Sequence, residues 1–412
     1  MEYEKNTLSN GLRVFHVPVK SPVSHIGLFI NAGTRDELPD ENGLAHFIEH
    51  TIFKGTKNRK AYHILSRLET VGGELNAFTT KEETCIYATV LNEHLLRAME
   101  LISDILLNST FPEKELNKEK EVILDEINSY KDSPSEEIYD VFEENLFKGH
   151  PLGMNILGTP EHLKEFNRTQ AQNFLEQHYS SGKMALCIVG ERTADGLYPA
   201  MEKYFGTINN REGKNTRVPF QDKLSFSKYE ERNTFQTHTI LGGTAFDRKD
   251  GRRTTMFMLN NILGGPALNS RLNLAVRERY GFTYNIESVY LPYTDTGVFS
   301  IYMGTDNGNL DKALSLVMRE MEKIRKVPMG ILQLSQAKKQ LLGQIAIANE
   351  SNLNKMLSFG KAFLHDGRVD TMEEMRKKIE KVSVRQLMDV ADEVFSPDKL
   401  SLLVFRNRVL NP

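Results

Sequence analysis

Only two cysteines occur in the 412 residues, Cys85 and Cys187. Two scattered thiols exclude a disulfide framework and a cysteine-based metal motif. Cys85 alternates with its neighbours in a strand pattern, and Cys187 lies in the apolar run from Met184 to Val189, so both read as core residues rather than nucleophiles. No run of about eighteen apolar residues exists, so no membrane span is expected. No basic block offsets the net charge of −3, which argues against a nucleic-acid partner. The opening Met1-Glu2-Tyr3-Glu4-Lys5 has neither an apolar signal core nor an Arg-rich leader, and a reducing, cytoplasmic setting is the expectation. What is present is ample core material, 40% apolar residues, in a length that suits two to three domains.

The chain also contains His46-Phe47-Ile48-Glu49-His50. Leu44, Phe47, Ile48 and Ile52 recur as one apolar stripe and predict a helix over residues 43–53. Asp40 or Asn42 is the expected cap at its start, and Gly55 the expected stop. On that helix His46, Glu49 and His50 share an arc of roughly 100° opposite the stripe. Two imidazoles one turn apart can hold a zinc ion, and the carboxylate between them can serve as a base. A solvated helix with two surface histidines has the same spacing, and a catalytic zinc needs a third protein ligand.

The segment from Glu115 to Tyr130 is the candidate for that ligand. It is rich in helix formers, with Leu116, Ile123, Ile127 and Tyr130 as its apolar stripe. Glu119 and Glu126 lie within about 20° of each other on that stripe, whereas Glu121 and Asp125 point away. Burying a carboxylate costs on the order of several kcal/mol unless it is paired or bound to a metal. Two readings stand: Glu126 on the ion with Glu119 behind a ligand imidazole, or buried ion pairs.

The reversed H-x-x-E-H motif followed by Glu126 resembles the inverzincins, the pitrilysin/insulysin clan of zinc peptidases. The two-domain branch that includes mitochondrial processing peptidase and its bacterial relatives is closest in size. The likeness spans nearly the whole chain. It includes Leu8-Ser9-Asn10-Gly11-Leu12-Arg13-Val14, Gly33-Thr34-Arg35-Asp36-Glu37, Phe53-Lys54-Gly55-Thr56 and Gly72-Gly73-Glu74-Leu75-Asn76-Ala77-Phe78-Thr79. It continues through Val122 to Ile127, Ser270-Arg271-Leu272, Val276-Arg277-Glu278 and Gly281-Phe282-Thr283-Tyr284. The resemblance implies His46, His50 and Glu126 as zinc ligands, Glu49 as general base and Glu119 as a supporting catalytic acid. It implies Asn76 and Ala77 on a strand that pairs with substrate, and Arg277 and Tyr284 as substrate contacts. Taken bare, that last pair reads as surface or helix-end residues. Tyr280, Phe282 and the turn Leu263-Gly264-Gly265-Pro266 depart from the usual neighbours.

The two halves echo each other. Asn92 to Met99 parallels Asn307 to Leu314, and each is followed by a helical run, a proline (Pro112, Pro328) and a second helix. That register sets Gln344 opposite Glu126 and Ala337 opposite Glu119, and a rougher match sets Met256 and Asn260 opposite the histidines. The second half is therefore expected to build no metal site. The predicted fold is α+β, with homologous domains over 1–210 and 225–412. Each is a largely antiparallel sheet with helices packed on one side. The polar, turn-rich stretch from Asn209 to Asn215 suits the link.

These readings combine into one expectation: a zinc metalloendopeptidase with one Zn2+ per chain. The resemblance implies that it hydrolyses unfolded peptides inside a closed homodimeric chamber. The rivals are a non-catalytic or heteromeric subunit of a related complex, and a peptide-binding protein with vestigial zinc.

Overall fold

The structure, a computed structural model, describes residues 3–210, 217–221 and 224–407. Most of the predicted link (211–216) lies outside the described residues. In chain order the first elements are β1 (Glu4–Thr7), β2 (Arg13–Pro18), β3 (Val23–Ile30), α1 (Leu44–Thr51), α2 (Ala61–Glu69), β4 (Glu74–Thr79) and β5 (Thr84–Leu91). Then come α3 (Leu95–Asn108), α4 (Glu113–Lys131), α5 (Pro134–Leu146), α6 (Pro160–Glu165), α7 (Arg168–His178), β6 (Met184–Gly190) and α8 (Ala194–Phe205). The remainder is β7 (Ser227–Arg232), β8 (Thr237–Ala245), α9 (Arg253–Gly264), β9 (Thr283–Pro292), β10 (Gly297–Thr305), α10 (Leu310–Lys326), α11 (Ile331–Ala348), α12 (Asn352–Asp366), α13 (Met372–Lys381), α14 (Val384–Val394) and β11 (Ser401–Asn407).

Two compact units result. The first comprises Met1–Asn128, Met154–Arg217 and Ile347–Val369. Its six-stranded sheet has the order β1-β2-β6-β3-β5-β4, antiparallel throughout except for β2 beside β6. Successive side chains on a strand face opposite ways, and both faces here are covered. On one face Val14, Leu28, Ile86 and Leu186 join a core with Phe47 and Ile48 of α1, Leu101 and Ile105 of α3, Phe174 of α7 and Met201 of α8. On the other, Phe15, Phe29, Cys85 and Cys187 pack with Met356, Phe359 and Phe363 of α12. Both cysteines are free and buried. Helix α12 lies so close that a Cβ on Gly360 would sit 2.0 Å from the Phe29 ring. Its Lys361 and His365 both reach the buried Glu83, at 2.6 and 2.5 Å.

The second unit comprises Ser129–Gly153, Val218–Ala346 and Asp370–Pro412. Its sheet has the order β7-β11-β8-β10-β9, again with one parallel pair, β7 beside β11. Phe299, Ile301 and Val404 pack with Met256 and Leu259 of α9, Val317 of α10 and Val390 of α14. Ile240, Val298 and Phe405, on the opposite face, pack with Ile138 and Phe142 of α5. The order matches β2-β6-β3-β5-β4 of the first unit strand for strand, so the echo in the sequence is a duplicated α+β fold. The halves also exchange a helix. Helix α5 from the N-terminal half belongs to the second unit, and α12 from the C-terminal half to the first. Among the described residues no helix is long and apolar enough to cross a membrane.

Candidate metal centre

Helix α1 runs Leu44–Thr51, shorter than the predicted stretch. Its apolar stripe of Leu44, Phe47, Ile48 and Ile52 is fully buried. Neither Asp40 nor Asn42 caps it. The N-cap is Gly43, at φ 97°, where a Cβ would come within 2.7 Å of the Gly158 Cα. A remote carboxylate does the capping instead: Gly43 N–H and Ala45 N–H donate to Glu37, at 2.9 and 2.7 Å. The helix closes at Ile52, ahead of Gly55, with the Thr51 hydroxyl bonded back to the Phe47 carbonyl at 2.6 Å.

Helix α4 buries Leu116, Glu119, Ile123 and Ile127. Glu121 and Asp125 are exposed, as their helical angles predict. Tyr130 departs from the expectation and is also exposed, because the buried stripe ends at Ile127 and Tyr130 lies in the last turn beyond it. Glu126 is half-buried, its side chain 37% exposed, because it opens onto the face of α1 that carries the histidines.

There the expected residues meet. Glu126 Oε2 lies 3.8 Å from His46 Nε2 and 3.4 Å from His50 Nε2. One donor atom from each of the three residues falls within 4.8 Å of the others, and no other described group of three His, Cys, Asp or Glu residues has this character. Two ligands, each ~2.1 Å from an ion at a tetrahedral angle, stand about 3.4 Å apart, so the cradle fits zinc. Behind it, His50 Nδ1 faces Glu119 Oε2 at 3.3 Å, which leaves Nε2 toward Glu126. The other Glu119 oxygen pairs with Lys54 Nζ at 2.6 Å. A carboxylate behind a ligand imidazole fixes its ring and its tautomer.

The electrostatics agree with that use. Burial, helped by the nearby His50, drives the His46 imidazole down to about 3, so it is neutral and available as a ligand. Its Nδ1 is buried without a hydrogen-bond partner. Glu49 contributes no atom to the cluster. Burial raises its carboxyl above the usual range, while contacts with Thr79 and the His50 charge oppose that rise.

Thr79 ends β4, which contacts α1 and carries Asn76 and Ala77. Among the described residues β4 is paired only with β5, through Asn76 with Tyr87 and Ala77 with Ile86, so its other edge can take an added strand. Arg277 and Tyr284 are in the second unit. Arg277 lies in a short helical turn, Asn273–Glu278, with its Nε 3.7 Å from Glu278. Tyr284 is 87% exposed on the edge strand β9.

Two residues of the centre escaped the reading of spacing. Lys54 sits one turn past His50, in the quoted run Phe53 to Thr56, where only its position after the helix hinted at a role. Glu37 had no local signal, because it reaches α1 from outside the ordinary capping position.

A family model described as "Insulinase (Peptidase family M16)" matches residues 16–160, and one described as "Peptidase M16 inactive domain" matches 165–341. The "Uncharacterized zinc protease YmxG" of Bacillus subtilis (strain 168) is 32% identical over 403 residues, covering 97% of this chain and 98% of its own length. An "Uncharacterized zinc protease" of Rickettsia bellii is 31% identical, covering 99% and 98%. A protease from Helicobacter pylori shares the fold with a TM-score of 0.90 at 20% identity, over 98% of this chain and 99% of that one. A peptidase M16 inactive domain from Pseudomonas fluorescens does so at 0.92 and 19%, over 99% and 98%.

Proposed function

The chain belongs to peptidase family M16, and from that premise we propose that it is a zinc metalloendopeptidase that cuts unfolded peptides by general-base hydrolysis. The observation that carries this reading is the approach of Glu126 Oε2 to both histidine Nε2 atoms, at 3.8 and 3.4 Å, beside the half-buried carboxyl of Glu49, which is not itself in the cluster. His46, His50 and Glu126 would hold the ion, and Glu119 would keep the His50 ring turned toward it. A zinc ion bound there supplies Lewis acidity and brings the pKa of a water toward neutrality. Glu49 takes the proton of the attacking water and returns it to the leaving amine. The free edge of β4 at Asn76 and Ala77 holds the substrate as an added strand, reading backbone more than side chains.

Arg277 and Tyr284 are the second set of substrate contacts in this proposal. Two copies of the chain pair into a closed chamber, each offering this pair to the other's zinc, and the chamber admits unfolded peptides while excluding folded proteins. Buried, unpaired cysteines suit a reducing cytoplasm as its setting.

The test is purified protein with its metal content measured, incubated with a mixed peptide pool, with and without a chelator. Expected are about one zinc per chain, chelator-sensitive cleavage mapped by mass spectrometry, and restoration by added zinc. Full zinc with no cleaved peptide would leave a binding or non-catalytic subunit. Full activity as a strict monomer would remove the paired chamber alone.

A further inference from the structure

Between β3 and α1 the chain carries three consecutive charged residues: Arg35 and Glu37 are buried, and Asp36 is half-buried with its side chain turned inward. Arg35 and Asp36 turn toward the loop that follows β4. Arg35 Nη1 lies 2.7 Å from Glu82. Arg217 donates to both oxygens of Asp36, at 3.0 and 2.7 Å, and to the Glu82 carbonyl at 2.8 Å. The Thr34 and Arg35 amides donate to the Thr80 and Lys81 carbonyls. The segment is thus clamped against the β4–β5 turn by charge and backbone together.

Glu37 turns the other way, into α1. It accepts from Ala45 N–H at 2.7 Å, Gly43 N–H at 2.9 Å and Asn42 Nδ2 at 3.3 Å. The first amides of a helix have no partner within it, and the oxygens of a carboxyl placed there satisfy them. A local Ser or Asp would satisfy one such amide and move with the helix. Glu37 is anchored in a different segment, so it determines where the helix sits. Its carboxyl is driven up to about 8 by burial, against the pull of the Ala45, Gly43 and Asn42 bonds, so this arrangement is held at a desolvation cost. His46 follows Ala45 directly.

We propose that Glu37 is a positioning residue for the zinc centre: it holds the first amides of α1 so that His46 faces Glu126. The pairs Arg35–Glu82 and Asp36–Arg217 brace it against the turn behind β4. This rests on the reading that His46, His50 and Glu126 bind zinc.

Full-length wild type, E37Q and D104N are compared at equal folded fraction, by chelator competition for zinc and by the visible absorption of the Co2+-substituted protein. Asp104 is a buried carboxyl of α3, bonded to Arg59 at 2.6 Å, and serves as the control for losing a buried, hydrogen-bonded carboxyl away from α1. E37Q is expected to bind zinc roughly 10–100-fold more weakly, the usual cost of losing a group that supports a ligand, and to shift the Co2+ bands. D104N is expected to keep both. Wild-type affinity with unaltered bands in E37Q overturns the proposal, as does an equal loss in D104N. If E37Q does not fold, E37D carries the test: its shorter carboxylate is expected to weaken zinc in the same direction, and unchanged affinity overturns the idea. A wild type that binds no zinc at all brings down the metal-centre reading itself, a result distinct from these.

Discussion

Glu49→Gln separates holding a metal from using it. The side chain keeps its size, so its packing beside β4 is retained. It donates no atom to the cluster of His46, His50 and Glu126, so the cradle remains whole. What disappears is a proton acceptor whose carboxyl burial has raised above the ordinary range, toward the strength a base needs near neutral pH. A positioned general base contributes typically about 10²–10⁴-fold, which at ~1.4 kcal/mol per decade raises the barrier by ~3–5 kcal/mol. The assay is kcat/KM on a fluorogenic peptide chosen from the mapped cleavage products, with zinc content measured on the same preparation. The expected result is zinc at the wild-type level and kcat/KM down by about two to four decades. Near-wild-type turnover would refute Glu49 as the base. Loss of zinc would refute the argument differently, by making Glu49 a ligand.

Other outcomes follow from the same geometry. Glu126→Gln replaces a proposed ligand and should weaken zinc far more than Glu119→Gln, for which a loss of roughly 10–100-fold is expected; chelator competition on both variants checks the order, and the reverse ranking would exchange their roles. Gly360→Ala forces a Cβ to 2.0 Å from the Phe29 ring and should destabilise the first unit by about 1–3 kcal/mol or more. An unchanged urea midpoint would mean that α12 does not dock as described. Burial alone would raise the Glu83 carboxyl, but the His365 hydrogen bond and the Lys361 charge hold it down at about 2, below the usual 4.5. A depressed carboxyl stabilises the fold fully above its unfolded value and loses that contribution as pH falls. About 3 kcal/mol should therefore vanish between roughly pH 4.5 and pH 2. Urea unfolding across that range, compared with Glu83→Gln, reads this loss, and equal pH profiles for the two proteins would count against it.

Much of the metal centre could be read one helix at a time. The spacing of His46, Glu49 and His50 against Leu44, Phe47, Ile48 and Ile52 requires only the 3.6-residue period, and α1 presents them as that period demands. The same logic put Glu119 and Glu126 on one side of α4 and Glu121 and Asp125 on the other, as found. It failed at Tyr130, because a period says nothing about where the neighbouring core ends. It also failed at the start of α1, where the local candidates Asp40 and Asn42 give way to Glu37.

The sequence by itself determined the candidate donors, their division between two helices, and the duplication, since periodicity and internal echo are properties of short stretches. Tertiary structure alone decided that Glu126 comes to the histidines rather than to a buried lysine or arginine. It alone decided that Glu37 holds the helix between them, and that α5 and α12 change places. Each of these depends on which surfaces far apart in the chain exclude water from one another. Such pairings arise only when whole sheets and helices pack, so no local pattern announces them.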